Sequence, residues 1–162
     1  MYVTTILTRK ESVAVLRISA KARYAMAAVT QMARRGTDKS ITVLELSKAL
    51  QISKIYLEQI FALLKRGGIV SAVKGARGGY FLARAAKDIT AFDVLSVIET
   101  ALFEPTEPTL RDGNEEMEAA MQPVVVSQID EQLQLVLAGV SLAEIANKAE
   151  ALAVTQGNMY YI

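Results

Sequence analysis

The chain has 162 residues, is 52% hydrophobic and carries a formal net charge of +1. This composition argues against disorder, because a chain so rich in apolar residues can bury a sizeable core. The sequence contains no Cys and no His. Disulfides, thiolate nucleophiles and cysteine-ligated iron–sulfur clusters are therefore excluded, and no catalytic residues are expected. An enzyme that uses Glu and Lys stays open only as a minor alternative.

The charges are divided sharply along the chain. Residues 1–87 contain 16 Lys and Arg against 4 Asp and Glu, a net of +12. Residues 88–162 contain 2 Lys and Arg against 13 Asp and Glu, a net of −11. Clustered cations indicate a polyanionic partner, because each neutralised phosphate releases condensed counterions. Nucleic acid and an anionic membrane surface both fit this charge, so charge alone leaves the partner open.

The leading residues, 1–17, alternate weakly and are expected to form an N-terminal arm. Nowhere does the chain approach the roughly 20 consecutive apolar residues of a membrane helix. The short apolar patch at the start precedes the first charges, which is the reverse of a signal peptide. We therefore expect a cytoplasmic protein that does not contact a membrane.

Two helices are predicted after this arm. Ser19 caps the first, which has apolar residues at a spacing of three to four and ends at Gly36. Thr42 and Glu45 have the spacing of a capping box and open a second, short helix through Leu50.

A third helix is predicted to be capped by Ser53 and to end at Gly67 and Gly68. A turn of about three residues separates it from the second helix, which is typical of helix-turn-helix. Its polar residues lie near the N-terminal end, where a recognition helix contacts base edges in the major groove. These candidate DNA-binding residues are Ser53, Lys54, Tyr56 and Gln59. A solvated helix face is the alternative.

A β-hairpin with a glycine-rich, cationic tip is predicted next, with strands over 69–74 and 80–83. Lys74 and Arg77 at the tip can reach phosphates or enter a narrow minor groove. A phosphate-binding P-loop is disfavoured, because the Gly-Lys-Ser/Thr ending is missing and no helix follows at once. A plain surface turn stays open.

Seven further cations could contact phosphate: Lys21, Arg23, Arg34, Arg35, Lys65, Arg66 and Arg84. We favour Lys21 and Arg23, because they lie at the start of the first helix, where backbone N–H groups add hydrogen-bond donors.

The acidic half begins with a fourth helix, which Thr90 is predicted to cap. Residues 104–113 contain two prolines and are expected to form a semi-rigid connector. Helical periodicity follows over 114–137, where Pro123 must start a segment or kink one. The chain closes with a predicted capping box at 141–144, a helix to about 152 and an aromatic tail.

An apolar stripe runs along the long helix of this half. A basic domain of roughly 85 residues should already close its own core, so the surplus apolar surface predicts a homodimer. Packing of the stripe onto its own domain is the alternative. The candidate dimerisation residues are Val126, Ile129, Leu133, Val136, Leu137 and Val140.

Four segments, in this order, carry a family resemblance: 18–25 (ISAKARYA), 53–59 (SKIYLEQ), 67–80 with its Gly-Gly-Tyr, and 89–94 (ITAFDV). Together they resemble the Rrf2 family of bacterial winged-helix transcription regulators over about residues 18–100. Segment 141–145 also resembles the part that follows the family's long dimerisation helix.

The resemblance implies a mainly α fold with a small β-hairpin wing (α+β), in which a winged helix-turn-helix domain precedes a long dimerisation helix. The expected organisation is an arm at 1–17, the DNA-binding domain at 18–103, a connector at 104–113 and dimerisation and C-terminal helices at 114–162. The implied function is a homodimeric, sequence-specific transcription regulator that binds an inverted-repeat operator in double-stranded DNA. We expect it to be a repressor.

By position, three side chains resemble the base-reading residues of the family: Ser53, Tyr56 and Gln59. Lys74 stands where a cation of the wing meets the minor groove, and Lys21 and Arg23 match the basic start of the first helix.

The chain departs from the family in one respect. Iron–sulfur members carry three cysteines between the fourth helix and the dimerisation helix, here roughly residues 103–121, and this chain has none. It therefore resembles the cluster-free branch, which includes a cysteine-metabolism repressor that responds through a protein partner. No metal or other cofactor is expected, and a regulatory protein or a small-molecule effector stays open. The alternative function is a protein-interaction module whose basic half docks an acidic protein partner.

Overall fold

Helices dominate the part of the chain that the computed structural model describes, which is residues 17–75, 78–104, 109–110 and 113–158. The basic half contains α1 (Ala20–Arg35), α2 (Val43–Leu50), α3 (Lys54–Arg66), β1 (Val70–Val73), β2 (Gly79–Leu82) and a 3-10 turn (Ala86–Asp88). The acidic half contains α4 (Ala91–Ile98), α5 (Thr100–Phe103), α6 (Glu115–Met121), a π-helical turn (Gln122–Val126), α7 (Ser127–Ala138) and α8 (Leu142–Asn158). The predicted fold class is confirmed, since the two strands form an antiparallel hairpin among helices.

Polar side chains cap four of these helices where the sequence predicts them. The Ser19 hydroxyl accepts a hydrogen bond from the backbone N–H of Ala22 at 3.1 Å and so caps α1. Thr42, Thr90 and Ser141 each form a reciprocal capping box with the acidic residue three positions later. The starts of α1, α2, α4 and α8 are therefore determined by local sequence.

The predicted cap of α3 is confirmed in its position only. Ser53 occupies the cap position, but its side chain makes no capping hydrogen bond. Only its backbone carbonyl contributes to the helix, by accepting from the N–H of Leu57 at 3.0 Å. The start of α3 is set instead by the preceding turn, where Gln51 has a left-handed φ of 55° and the N–H of Ile52 donates to the carbonyl of Ser47.

The core lies between α1, α3, α4 and the hairpin. Helix α3 contributes four completely buried side chains, those of Leu57, Ile60, Phe61 and Leu64. The ring of Phe61 also packs against Tyr80 of β2, with ring centroids 4.7 Å apart. The same helix face therefore closes the core and holds the hairpin.

A short bridge joins the hairpin to the loop before α2. The N–H of Ile41 donates to the carbonyl of Tyr80 at 3.0 Å, and the N–H of Tyr80 donates back at 2.9 Å. Gly79 is required beside this bridge, because a Cβ there would lie 2.8 Å from the carbonyl oxygen of Ile41 and the residue has a φ of 153°. The hairpin is thus held on one side by Phe61 of α3 and on the other by the loop before α2.

Pro123 lies within the π-helical turn, and the helical path continues from α6 through this turn into α7. Proline has no N–H to donate to the carbonyl four residues earlier, so the regular α-helical hydrogen-bond pattern is interrupted at this position. The last helix, α8, reaches Asn158 and so is longer than the predicted end at about Leu152. Its residues Leu142 and Ala146 are buried, and α8 packs against α1.

No helix of the described ranges is both long enough and apolar enough to cross a bilayer.

The capping boxes predict how stability depends on pH. Hydrogen bonds from the backbone N–H and hydroxyl of Thr42 hold the pKa of Glu45 below its usual 4.5, and those of Ser141 act likewise on Glu144. A lowered pKa in the folded state means that the stabilisation is complete above pH 4.5 and is lost as the pH falls through the lower folded value. Glu45→Gln and Glu144→Gln should flatten this acid loss, measured as the free energy of unfolding in urea. Glu131→Gln on α7, away from any cap, should follow the wild type. The prediction is contradicted if the free energy of unfolding falls with pH in parallel for the wild type and all three variants.

Candidate nucleic-acid interface

Helix α3 has two opposite faces. One face is buried in the core, and the other carries exposed side chains, those of Ile55, Gln59, Ala62 and Arg66. Because an α-helix turns by about 100° per residue, these four positions lie along one line directly opposite the core. The fold therefore presents a helix face of mixed polar and apolar side chains to the outside.

Two predicted reading residues flank this face at the start of α3. Ser53 is exposed, and its hydroxyl has no capping role. Tyr56 is half-buried and meets Tyr24 of α1 edge to face, with ring centroids 5.7 Å apart and an interplanar angle of 89°. Tyr24 is not among the residues predicted to contribute to the site, because its spacing along α1 gives no indication of this contact.

The other two candidates on α3 differ in their partners. Lys54 forms an exposed ion pair with Glu58 one turn later, at 3.4 Å between Nζ and Oε1. Such surface pairs contribute little, so the Lys54 ammonium can exchange this partner for another anion. Gln59 is exposed and makes no hydrogen bond within the described part of the chain. Its amide group is therefore free to donate and accept.

The start of α1 brings two predicted cations together with an acidic residue. Lys21 is half-buried and Arg23 is exposed. The backbone N–H of Ser19 donates to Oε1 of Glu99 at 2.7 Å. Hydrogen bonds from Ser19 hold the pKa of Glu99 below its usual range, and the charge of Lys21 contributes to the same effect. Glu99 thereby ties the start of α1 to the end of α4.

Several other cations are already paired. The ion pairs are Arg34–Glu150 at 2.9 Å, Arg35–Glu45 at 3.0 Å and Arg84–Asp93 at 3.0 Å. Two of these carboxylates belong to the acidic half, so part of the basic charge is neutralised within the chain. In the described ranges, Arg23, Lys65 and Arg66 form no ion pair, which leaves them better suited to an external anion.

The hairpin places Lys74 directly after β1, where it is exposed. The neighbouring strand residues 71–73 are exposed as well. Arg77, the other cation predicted at the tip, lies outside the described residues.

The apolar stripe of the long helix divides between two environments. Val126, Leu133, Leu137 and Val140 are half-buried, and Leu137 packs against the core. Ile129 and Val136 are 60% and 63% exposed. Packing onto its own domain thus covers part of the stripe and leaves an open face. That face also includes Val125, which belongs to the same predicted stripe, together with four residues outside that stripe: Leu102, Val124, Gln128 and Gln132.

A cavity of about 290 Å³ lies where the long helix meets α4 and α5. Phe92 and Phe103 form one wall, in edge-to-face contact with ring centroids 5.2 Å apart. Gln122, Asp130 and Gln134 provide polar groups at its lining. Its volume falls at the lower end of the range for small-molecule sites.

A helix-turn-helix followed by a β-hairpin, with the outer face of α3 exposed on a basic domain, defines a winged-helix DNA-binding regulator. The sequence profile of the Rrf2 family, described as an iron-dependent transcriptional regulator, matches residues 18–148. The chain belongs to the Rrf2 family of transcriptional regulators.

Individual relatives agree with this assignment. The HTH-type transcriptional regulator IscR of Yersinia enterocolitica is 32% identical over 142 residues, which cover 86% of this chain and 84% of the relative. IscR of Erwinia tasmaniensis is 30% identical over 139 residues, with the same coverage.

Solved structures show the same architecture. CymR of B. subtilis, described as the global cysteine regulator, superposes with a TM-score of 0.65 at 25% identity and covers 83% of this chain and 98% of its own. IscR of T. potens also has a TM-score of 0.65, at 28% identity, with coverage of 90% of this chain and 97% of its own.

The residues of this chain do not fit the iron cofactor that the family description implies. Iron–sulfur clusters are held by Cys thiolates, with His as the usual substitute, and the sequence contains neither. Within the described ranges, Asp and Glu side chains form no group of three or more that could hold a metal ion.

The arrangement predicts different effects for two single substitutions. Gln59→Ala should relax the preference at one base position and cost about 1–3 kcal/mol on the preferred sequence. Lys21→Ala should weaken binding to all duplexes alike, because a phosphate contact carries no base information. Affinities for a set of duplexes with single base changes distinguish these outcomes, and Lys148→Ala on α8 serves as the matched cation control. If Gln59→Ala and Lys21→Ala both act uniformly, the assignment of base and phosphate contacts is wrong.

Proposed function

We propose that this protein is a homodimeric, sequence-specific transcriptional repressor that binds an inverted-repeat operator and works without an iron–sulfur cluster. The observation that carries the proposal is the exposed face of α3 on a domain of strongly positive charge. Among the residues that the structure describes, Gln59 of this face makes no hydrogen bond and Arg66 forms no ion pair. Such a face matches the major groove, which admits one α-helix and offers hydrogen-bonding base edges.

In this proposal the reading residues divide into two groups. Ser53, Tyr56 and Gln59 contact base edges, because they lie at the N-terminal end of α3 that enters the groove first. Lys21, Arg23, Lys54 and Lys74 contact phosphates or the minor groove, and Arg77 is assigned to the same group from its position in the sequence. Tyr24 supports the ring of Tyr56 from α1.

The open face of α7 supports the homodimer. Ile129, Val136 and Val125 are at least half exposed on one helix face, and the groove beside them is lined mostly by apolar side chains. Continuous exposed apolar surface of this kind is typical of an interface. A second copy of the same face is self-complementary and forms a closed twofold dimer, which matches an inverted repeat. Half-sites would then lie about 34–36 Å apart, one helical turn of DNA.

The absence of Cys and His side chains supports regulation without an iron–sulfur cluster. With no Cys and no His in the chain, neither thiol oxidation nor cluster loss can act as the signal. The cavity at Phe92 and Phe103 supports an effector site between the wing domain and the long helix. Repression is the simplest effect of such binding, because a dimer bound at an operator excludes other proteins from that DNA.

The salt dependence of binding tests this function. The logarithm of the association constant should fall steeply and linearly with the logarithm of the salt concentration, and selection from random duplexes should recover a palindrome. A slope near zero, or selection without any preferred sequence, would remove the proposal. A stable complex with an acidic protein, together with failure to bind duplex DNA, would instead favour an interaction module.

Charge substitution on α7 tests the dimer. Val136→Glu and Ile129→Glu should convert the protein to a monomer, because dimerisation would have to bury the new carboxylate. Light scattering after gel filtration measures the mass. Val154→Glu on α8 is the matched control, since Val154 is exposed to a similar degree, at 60%. The dimer assignment fails if the α7 variants keep the mass of the wild type, or if the wild type is itself monomeric.

A further inference from the structure

Ile55 is the most exposed large hydrophobic side chain that the structure describes, with 70% of its surface accessible. Single exposed aliphatic residues are common on protein surfaces and need no explanation by themselves. The position of Ile55 is the informative feature. It lies in the first turn of α3, on the face directly opposite the core residues Leu57 and Ile60.

This position aligns Ile55 with Gln59, one helical turn further along the same face. A helix that presents Gln59 to base edges therefore presents Ile55 to the same groove. An aliphatic side chain can neither donate nor accept a hydrogen bond, so it cannot distinguish the amino and carbonyl groups of the bases. The one apolar group in the major groove is the C5-methyl of thymine.

We propose that Ile55 is a specificity-determining residue that contacts the methyl group of a thymine in each operator half-site. The inference rests on the proposed DNA-binding function and adds to it the chemical group that is read.

The helix geometry also restricts where this thymine lies. The Cβ atoms of residues four apart on a helix are about 5–6 Å from each other. Successive base pairs rise by about 3.4 Å. The thymine that Ile55 contacts therefore lies within about two base pairs of the base that Gln59 reads.

The neighbours of Ile55 do not offer a competing role. Lys54 and Glu58 pair with each other at 3.4 Å, and Ile55 does not belong to the core cluster. Substitution should therefore leave the folded structure and its stability unchanged. Since Ile55 carries no charge, substitution should also leave the salt dependence of binding unchanged.

The experiment replaces thymine by deoxyuridine, which removes only the C5-methyl. The probe is the duplex that the wild-type protein selects from a random pool, with each thymine replaced in turn, and selection with Gln59→Ala marks the base that Gln59 reads. For the wild type, one replacement per half-site within two base pairs of that mark should weaken binding about fourfold, the factor expected for burial of one methyl group. Ile55→Ser removes the contact in both half-sites, so it should bind the thymine duplex as weakly as the wild type binds a duplex with the contacted thymine replaced in both half-sites. It should not respond to either replacement. Ile55→Val and the surface control Val154→Ser should keep the response.

Two kinds of failure are distinguishable. If the wild type selects a palindrome but shows no methyl dependence near the Gln59 position, or has no thymine there, the role of Ile55 is overturned and the DNA-binding function stands. The same conclusion follows if Ile55→Ser keeps the full methyl dependence. If the wild type selects no sequence at all, the proposed function fails, and the role of Ile55 fails with it.

Discussion

Burial of one face of α3 is the constraint on which the rest of this structure depends. Four side chains of this helix, of which Phe61 is the largest, are completely removed from solvent. Because rotation of the helix would expose them, the opposite face is fixed toward the outside. The ring of Phe61 also holds Tyr80 of the hairpin, and Tyr80 in turn bridges to Ile41. One packed cluster thus sets the orientation of the helix face and the position of the hairpin beside it.

The acidic half of the chain is held together by its own backbone hydrogen bonds and packs directly against the basic half. The segment between α7 and α8 forms two backbone hydrogen bonds to the start of α4, from Ala91 to Val140 at 2.8 Å and from Leu142 to Ile89 at 2.9 Å. Helix α8 then lies against α1. The carboxylate of Glu150 on α8 accepts hydrogen bonds from Nε and from one Nη of Arg34 on α1. The division of charge along the sequence is therefore only partly a division in space. Among the described residues, cations without an ion pair remain near the start of α1, the end of α3 and the end of β1.

Local rules predict the helix starts well, because a cap involves residues only three positions apart. Ser19, Thr42 and Ser141 act as their sequence context predicts. Ser53 also lies at its predicted cap position, but the composition of the segment does not determine whether its hydroxyl reaches a backbone N–H, and here it does not. The end of α8 differs from the prediction, and its additional residues 153–155 are exposed, so burial of their side chains does not account for the longer helix.

The candidate interface was predicted less completely than the fold. Periodicity identifies an apolar stripe on α7, but it cannot separate Leu137, which packs on its own domain, from Val136 beside it, which is exposed. That distinction depends on where α4 and α5 lie. Helical spacing alone places Ile55 opposite Leu57 and in line with Gln59, but spacing does not show whether another element covers that face. The fold shows that Ile55 stays 70% exposed.

The exposed face of α3 and the exposed apolar face of α7 are connected through continuous helix packing. Helix α7 lies against α4, and α4 lies against both α1 and α3. Glu99 adds a polar link from the end of α4 to the start of α1. In a dimer assembled through α7, the separation of the two α3 helices is consequently set by the same contacts that close each core. Closely packed cores deform little, so an assembly of this kind holds two reading faces at a defined spacing without any covalent or metal link.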